Sequence, residues 1–173
     1  LFCVMQGKYD KRSSKSDVRP EHQHGNYLDR LVETAVEWFG PYAENLVLVG
    51  DGNHETSILN KHETDLNERL CAGLSRNGHH VQHGGYSGWV RFMFHRGSAR
   101  NSPRLWYMHG YGGGGPVTQD VIQAQRQRSY VEGADILVSG HTHDCWIQEN
   151  SKTLLSESNS VRHQTVWNVK CPT

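Results

Sequence analysis

Leu46-Val47-Leu48-Val49-Gly50-Asp51-Gly52-Asn53-His54-Glu55 is a run of four aliphatic residues that empties into a glycine-punctuated loop presenting an amide, an imidazole and a carboxylate. Aliphatic residues without alternation fit a strand covered on both faces, as in parallel sheets, and Gly50 and Gly52 permit the tight turn that follows. In open α/β sheets, ligands sit outside the carboxyl ends of the strands. Taken alone, the stretch is equally an ordinary strand-turn-helix connection. Two later stretches repeat its construction. Leu105-Trp106-Tyr107-Met108 runs into His109-Gly110-Tyr111-Gly112-Gly113-Gly114-Gly115, and Ile136-Leu137-Val138 runs into Ser139-Gly140-His141-Thr142-His143-Asp144.

The segments between these stretches have helical character. Leu28, Leu31, Val32, Ala35, Val36 and Phe39 recur at helical spacing, which predicts a helix over Tyr27–Phe39 with Asn26 and Asp29 as a capping arrangement and Gly40-Pro41 as its stop. Leu66, Leu70 and Leu74 predict a second helix over His62–Arg76, with His62 on its first turn, and a third is expected over Val117–Val131. From His79 to His95 the aromatic and β-branched residues indicate one or two antiparallel strands, and after Cys145 short strands joined by polar turns are expected. Gln6–His24 reads as a polar loop in which His22 and His24 form a solvated pair.

At 173 residues, with no composition break, the chain is expected to form a single α/β domain over residues 1–173. Lys plus Arg balance Asp plus Glu at 18 each, so no global field draws in nucleic acid or an acidic membrane surface. Local imbalance exists: Tyr27–Leu70 carries net −6, and Gly88–Arg104 carries Arg91, Arg96, Arg100 and Arg104 with no acid. Cys3, Cys71, Cys145 and Cys171 are scattered without a CxxC pair, so a reducing cytoplasm is the simpler assignment. No run approaches the roughly 18 apolar residues of a membrane span.

The three strand ends expose Asn53 with His54, then His109, then His141 with His143, each released by glycine. Core histidines would fall within the apolar runs; these fall just beyond them, where a parallel sheet opens. Imidazole nitrogens with an amide oxygen suit Zn²⁺, Mn²⁺ or Fe better than Ca²⁺ or Mg²⁺. At this point the chain resembles a known family. Gly52-Asn53-His54-Glu55, a lone His109 after a later strand, and Gly140-His141-Thr142-His143 are similar, in order, to the last three blocks of the calcineurin-like metallophosphoesterases.

The resemblance implies a fold of two packed mixed β-sheets flanked by helices and a phosphoesterase reaction at a pair of divalent ions. Asn53, His109 and His141 would hold the second ion and His143 the first, while His54 would face the substrate as the catalytic acid. Two ions about 3.5–4 Å apart bind phosphate oxygens and stabilise entering and leaving oxygens. Asp144 would support a ligand histidine, and Asp51 and Glu55 would position the loop. The family's D-x-H and bridging Gly-Asp blocks are not in this sequence; Gly50-Asp51 spells the latter but abuts Asn53. Because the chain opens in mid apolar run at Leu1-Phe2-Cys3-Val4, the first β-α-β portion is expected upstream. The chain as it stands is then expected to hold at most one ion, weakly, and to hydrolyse little.

For the substrate, Tyr111 and Gly112 through Gly115 could offer backbone N–H groups to phosphate at a helix start. Arg91, Arg96, Arg100 and Arg104, with Trp89 and Trp106 for stacking, could track a nucleic acid and make the protein a DNA nuclease. The competing readings are a module that keeps the fold for metal or partner binding without catalysis, and a structural protein whose histidines cap strands.

Overall fold

Two compact units divide the chain at Tyr86, and the computed structural model describes residues 20–23, 25–76 and 78–172. The architecture is α/β, with four α-helices and mixed sheets among the described residues. The polar stretch from Gln6 and the His22–His24 pair lie outside what is described, apart from the backbone of a 3-10 turn over Pro20–His22. Among the described residues no helix is long and apolar enough to cross a membrane.

In the N-terminal unit, helix α1 spans Tyr27–Phe39 and runs into a 3-10 segment at Gly40–Asn45, where Pro41 stops it. Asn26 makes no side-chain cap; its carbonyl accepts from Arg30 N–H, and Asp29 pairs with Arg69 at 2.6 Å instead. Strand β1, Leu48–Gly50, is followed by α2, Asn53–His62, and α3, Leu66–Arg76. α2 is an element the sequence hid. Only Ile58 among its apolar residues is buried, so there is no stripe to read, and His62 closes α2 rather than opening the next helix. Its start depends on Glu55, whose carboxylate accepts from Gly52 N–H at 3.0 Å. α1 and α3 approach closely because α3 carries glycine at the contact: a methyl on Gly73 would lie 2.5 Å from Cγ2 of Val36. Val32, Val49, Ile58, Leu66, Leu70, Leu74 and Val81 form the core. Strand β2, Gln82–Gly85, pairs parallel with β1, aligning Val49 with His83. Part of the segment expected to be antiparallel is therefore parallel to the opening strand.

The C-terminal unit holds a five-stranded mixed sheet. It contains β3 (Ser87–Arg91), β6 (Arg104–Met108), β7 (Ile136–Ser139), β8 (Trp146–Leu155) and β9 (Val161–Lys170), ordered β3-β6-β7-β9-β8. Between β3 and β6, a small hairpin joins β4 (Phe94–Arg96) to β5 (Ala99–Asn101) through Gly97 at φ 60°. β7 is the central strand, parallel to both neighbours, which explains its unbroken Ile-Leu-Val run. Helix α4 covers Val121–Tyr130, beginning four residues later than expected, after a series of turns. The closing segment is one long hairpin of two ten-residue strands, not several short ones. Its polar inward positions imitate turns in the sequence, and polar residues of α4 satisfy them. Gln125 Nε2 donates to Gln148 Oε1 at 3.1 Å, and Lys152 Nζ to the Arg128 carbonyl at 3.5 Å.

Asp135 joins three strands at the opposite end of this sheet from the loops after β6 and β7. Its carboxylate accepts from Arg104 N–H at 2.8 Å, Arg104 Nε at 3.2 Å and Gln164 Nε2 at 3.2 Å. Burial opposes its charge, but hydrogen bonds from the Arg104 side chain and backbone, the Arg104 charge and Gln164 outweigh this and hold it below the usual carboxylate range. A folded pKa below the unfolded one gives stability that is present above the ordinary range and lost as pH falls through it. Asp135→Asn is expected to lower stability by about 1 kcal/mol at pH 7 and by progressively less as pH falls from about 4, where the unfolded carboxyl protonates, through the lower folded pKa. Urea midpoints of both proteins across pH 3–7 check this.

Candidate functional site

Parallel pairing of β6 with β7 sets Met108 beside Ser139, so the residues after each strand leave the sheet at one edge. Gly140 N–H donates to the His109 carbonyl at 2.9 Å, and His141 Nδ1 lies 3.2 Å from His109 Nε2 with the rings edge-to-face at 71°. Both rings are half-buried. The backbone that delivers them is strained. Thr142 N–H reaches back to the Gly140 carbonyl at 3.0 Å around His141 at φ 76°, the geometry of the rare γ-turn, and His143 is left-handed again at φ 61°. Non-glycine residues in this region cost about 1–3 kcal/mol each and cluster at functional sites. His143 is exposed; Thr142 Oγ1 and Asp144 Oδ2 are buried with no hydrogen-bond partner among the described residues. Asp144 Oδ2 therefore bonds no ligand histidine; it faces Gly114, where an added methyl would lie 2.9 Å from it.

The pair of imidazoles fits one ion. Ligand nitrogens about 2.0–2.1 Å from a metal are separated by about 2.9–3.4 Å for angles between right and tetrahedral, which brackets the observed contact.

Gly110 is indispensable to this edge. At φ 104° it occupies a region closed to side chains, and a methyl there would lie 3.0 Å from the Gly140 carbonyl oxygen and 3.2 Å from His141 Cβ. Gly110→Ala is expected to lower stability by roughly 2 kcal/mol and to part the two rings. Chemical denaturation together with the imidazole NMR resonances checks this.

Beneath the same edge lies a buried ion pair. Lys170, at the end of β9 and wholly buried, donates to the Asp120 carboxylate and reaches Ser139 Oγ at 3.5 Å. Asp120 precedes α4, so the pair fastens the turns after the glycine run to the ends of β7 and β9. Trp146 Nε1 reinforces it by donating to the Gln119 carbonyl at 2.7 Å.

Asn53 and His54 belong to the N-terminal unit, at the first two positions of α2. Asn53 is exposed; His54 is half-buried, with Nδ1 shielded and lacking a hydrogen-bond partner among the described residues. Glu55 and Asp51 hold the loop as expected. Asp51 N–H donates to the Gly85 carbonyl at 2.8 Å, and its Oδ1 accepts from Asn67 Nδ2 at 2.8 Å.

Asp51 also belongs to a group that the sequence reading did not find. Asp51, Asp65 and His83 place one ligand atom each within 4.8 Å of one another, the group of three such side chains among the described residues. His83 Nε2 is 2.8 Å from Asp51 Oδ1 and 3.8 Å from Asp65 Oδ2. Burial opposes a charge on this imidazole, but the Asp51 hydrogen bond and the negative charges of Asp51, Asp65 and Glu68 prevail, so its pKa is raised. Burial and the charges of Asp65 and Asp51 likewise push up the Cys71 thiol on the inner face of α3. His83 lies within β2, a polar strand with no apolar run to mark it in the sequence.

The expected substrate-facing residues divide. Arg91 Nε donates to Ser102 Oγ at 2.6 Å and Arg104 pairs with Asp135, and both side chains are exposed. Trp106 is buried and cannot stack on a base, whereas Trp89 is half-exposed. Arg96 and Arg100 are exposed on the β4–β5 hairpin. Burial, and then the neighbouring Tyr111, raise the pKa of Tyr130. Gly112 is left-handed at φ 87°, but Gly112–Gly115 do not open α4, because Pro116–Asp120 intervene. Backbone N–H groups of the glycine run therefore do not lie at a helix start. No family model, curated protein or solved structure matches the chain.

Proposed function

We propose that this protein is a metal-dependent phosphoesterase of the calcineurin-like kind, acting on phosphomonoesters or phosphodiesters. The observation that carries the reading is the His109–His141 contact at the carboxyl ends of two parallel strands, delivered by a strained turn. His109 and His141 would hold one ion, and His143 would contribute to a second. Mn²⁺, Fe or Zn²⁺ would supply charge that binds phosphate oxygens and activates water. His54 would give a proton to the departing oxygen. Glu55, by fixing Gly52 N–H, sets the start of α2 and so the direction in which Asn53 and His54 leave the backbone. The reading carries with it a sandwich of two mixed sheets flanked by helices.

Equilibrium dialysis of the full chain against Mn²⁺ or Zn²⁺ tests the proposal. His109→Ala and His141→Ala are each expected to weaken one equivalent of bound ion by at least about tenfold, with Tyr111→Phe unchanged. If His141→Ala alters neither metal content nor thermal stability in Mn²⁺, these histidines merely cap strands. Ion binding without hydrolysis of aryl phosphates, even with the D-x-H and Gly-Asp blocks restored upstream, would indicate the non-catalytic module.

A nucleic-acid substrate is the second reading, favoured by the β4–β5 hairpin. Phe92 and Phe94 stack at 6.1 Å and are both exposed, Met93 is 67 % exposed, and Arg96 and Arg100 flank the turn. Aromatic faces beside arginine suit single-stranded DNA. Binding that weakens steeply with salt, and less so after Arg96→Gln with Arg100→Gln, would support it.

A further inference from the structure

The Asp51, Asp65 and His83 cluster lies in the N-terminal unit, and its donors come from three separate elements: the loop after β1, the turn before α3 and strand β2. Each donor is held before any ion arrives. Asp51 is anchored by Asn67 Nδ2 at 2.8 Å and by its own N–H on Gly85. Asp65 uses Oδ1 to accept from Glu68 N–H at 2.9 Å, which turns Oδ2 towards His83. His83 is set by the parallel ladder opposite Val49. The side chains are mostly covered, 11 % exposed for Asp51, 17 % for Asp65 and 25 % for His83.

A plain ion pair leaves this arrangement unbalanced. The single proton on Nε2 can bond one carboxylate, and the shorter contact is to Asp51, so Asp65 Oδ2 faces the ring at 3.8 Å without that bond. A protonated imidazole between two carboxylates leaves one net negative charge; a divalent ion with a neutral imidazole leaves none. Next to Asp51, Asn67 is completely buried and its Oδ1 has no hydrogen-bond partner among the described residues. Buried amide oxygens are normally bonded. Asn67 Nδ2 is spent on Asp51 and on the Gly50 carbonyl, which fixes the orientation of the Asp51 carboxylate.

We propose that Asp51, Asp65 and His83 bind one divalent transition-metal ion, Zn²⁺ or Mn²⁺, at a site separate from the histidine pair of the C-terminal unit. One nitrogen and two carboxylate oxygens suit these ions, whereas Ca²⁺ prefers oxygen alone. Ligand atoms about 2.0–2.2 Å from such an ion sit roughly 3–3.5 Å apart, so from spacings within 4.8 Å the cluster closes through side-chain shifts shared among the three donors. Asn67 orients Asp51 as second-layer partners orient ligands in metalloproteins. The ion would tie β1, α3 and β2 together and pin the loop two residues ahead of Asn53.

The proposal stands apart from the phosphoesterase reading, and its test keeps the two distinct. The full chain carrying His109→Ala and His141→Ala is dialysed against Zn²⁺ alone or Mn²⁺ alone. It is expected to retain one ion and to gain several degrees in unfolding temperature on adding Zn²⁺. Adding Asp65→Asn and His83→Gln is expected to weaken that ion at least tenfold and remove the thermal gain. Should the quadruple variant fail to fold by circular dichroism, His83→Gln alone in the same background is read for the same loss. Absence of a bound ion from the His109→Ala, His141→Ala chain, or retention of the ion after His83 is replaced, overturns the proposal.

Discussion

Lys170→Met destabilises the C-terminal unit by about 3–5 kcal/mol, the range for removing one partner of a buried ion pair. Lys170 is wholly buried and Asp120 is 5 % exposed, so methionine fills the stem volume but leaves a carboxylate stranded away from water. Asp120→Asn is expected to be nearly as harmful, because it strands the ammonium. The double substitution Lys170→Met with Asp120→Asn recovers part of the loss, since no charge is left stranded and asparagine tolerates the left-handed φ of 63° at this position. Urea unfolding of the four proteins gives the coupling directly. A loss below about 1 kcal/mol for Lys170→Met would mean that the pair is hydrated in solution. The effect reaches the histidine edge, because Lys170 bridges Asp120 and Ser139, and Ser139 stands two residues before His141.

On the proposed phosphoesterase reading, with D-x-H and Gly-Asp blocks supplied upstream, His54→Gln is expected to lower hydrolysis of alkyl phosphates by about 10²–10⁴-fold in Mn²⁺, the usual contribution of a positioned general acid. Metal content stays unchanged, since His54 is assigned no ion. Its shielded Nδ1 leaves Nε2 as the nitrogen that would pass a proton to the leaving oxygen. The deficit is expected to shrink with a 4-nitrophenyl leaving group, which departs readily as an anion. Equal losses for both leaving groups would assign His54 to charge stabilisation instead, and a parallel loss of bound ion would make it a ligand.

Much of the fold was legible because periodicity reports burial. Tyr27–Phe39 shows its apolar face and forms the expected helix; Ile136–Val138, buried between two parallel neighbours, shows no alternation and forms the central strand. Elements that bury little or bury polar atoms gave no such pattern. α2 covers one apolar side chain and Glu55, and the β8–β9 hairpin turns Gln148 and Lys152 towards polar partners on α4. The site divides in the same way. Histidines that follow apolar runs stood out, whereas His83 lies within the short polar strand Gln82–Gly85 and Asp65 reads as a helix cap.

By itself the sequence determined where strands stop and which polar residues follow them, because glycine and the end of an apolar run are local signals. Only the tertiary structure decided which of those residues touch. Parallel register carries His109 to 3.2 Å from His141, and three unconnected elements bring Asp51, Asp65 and His83 together. It likewise buried Trp106 and engaged the exposed Arg91 and Arg104 with Ser102 and Asp135. Charge and residue type are properties of the chain, but proximity and desolvation are set by strand pairing and packing across long sequence separations.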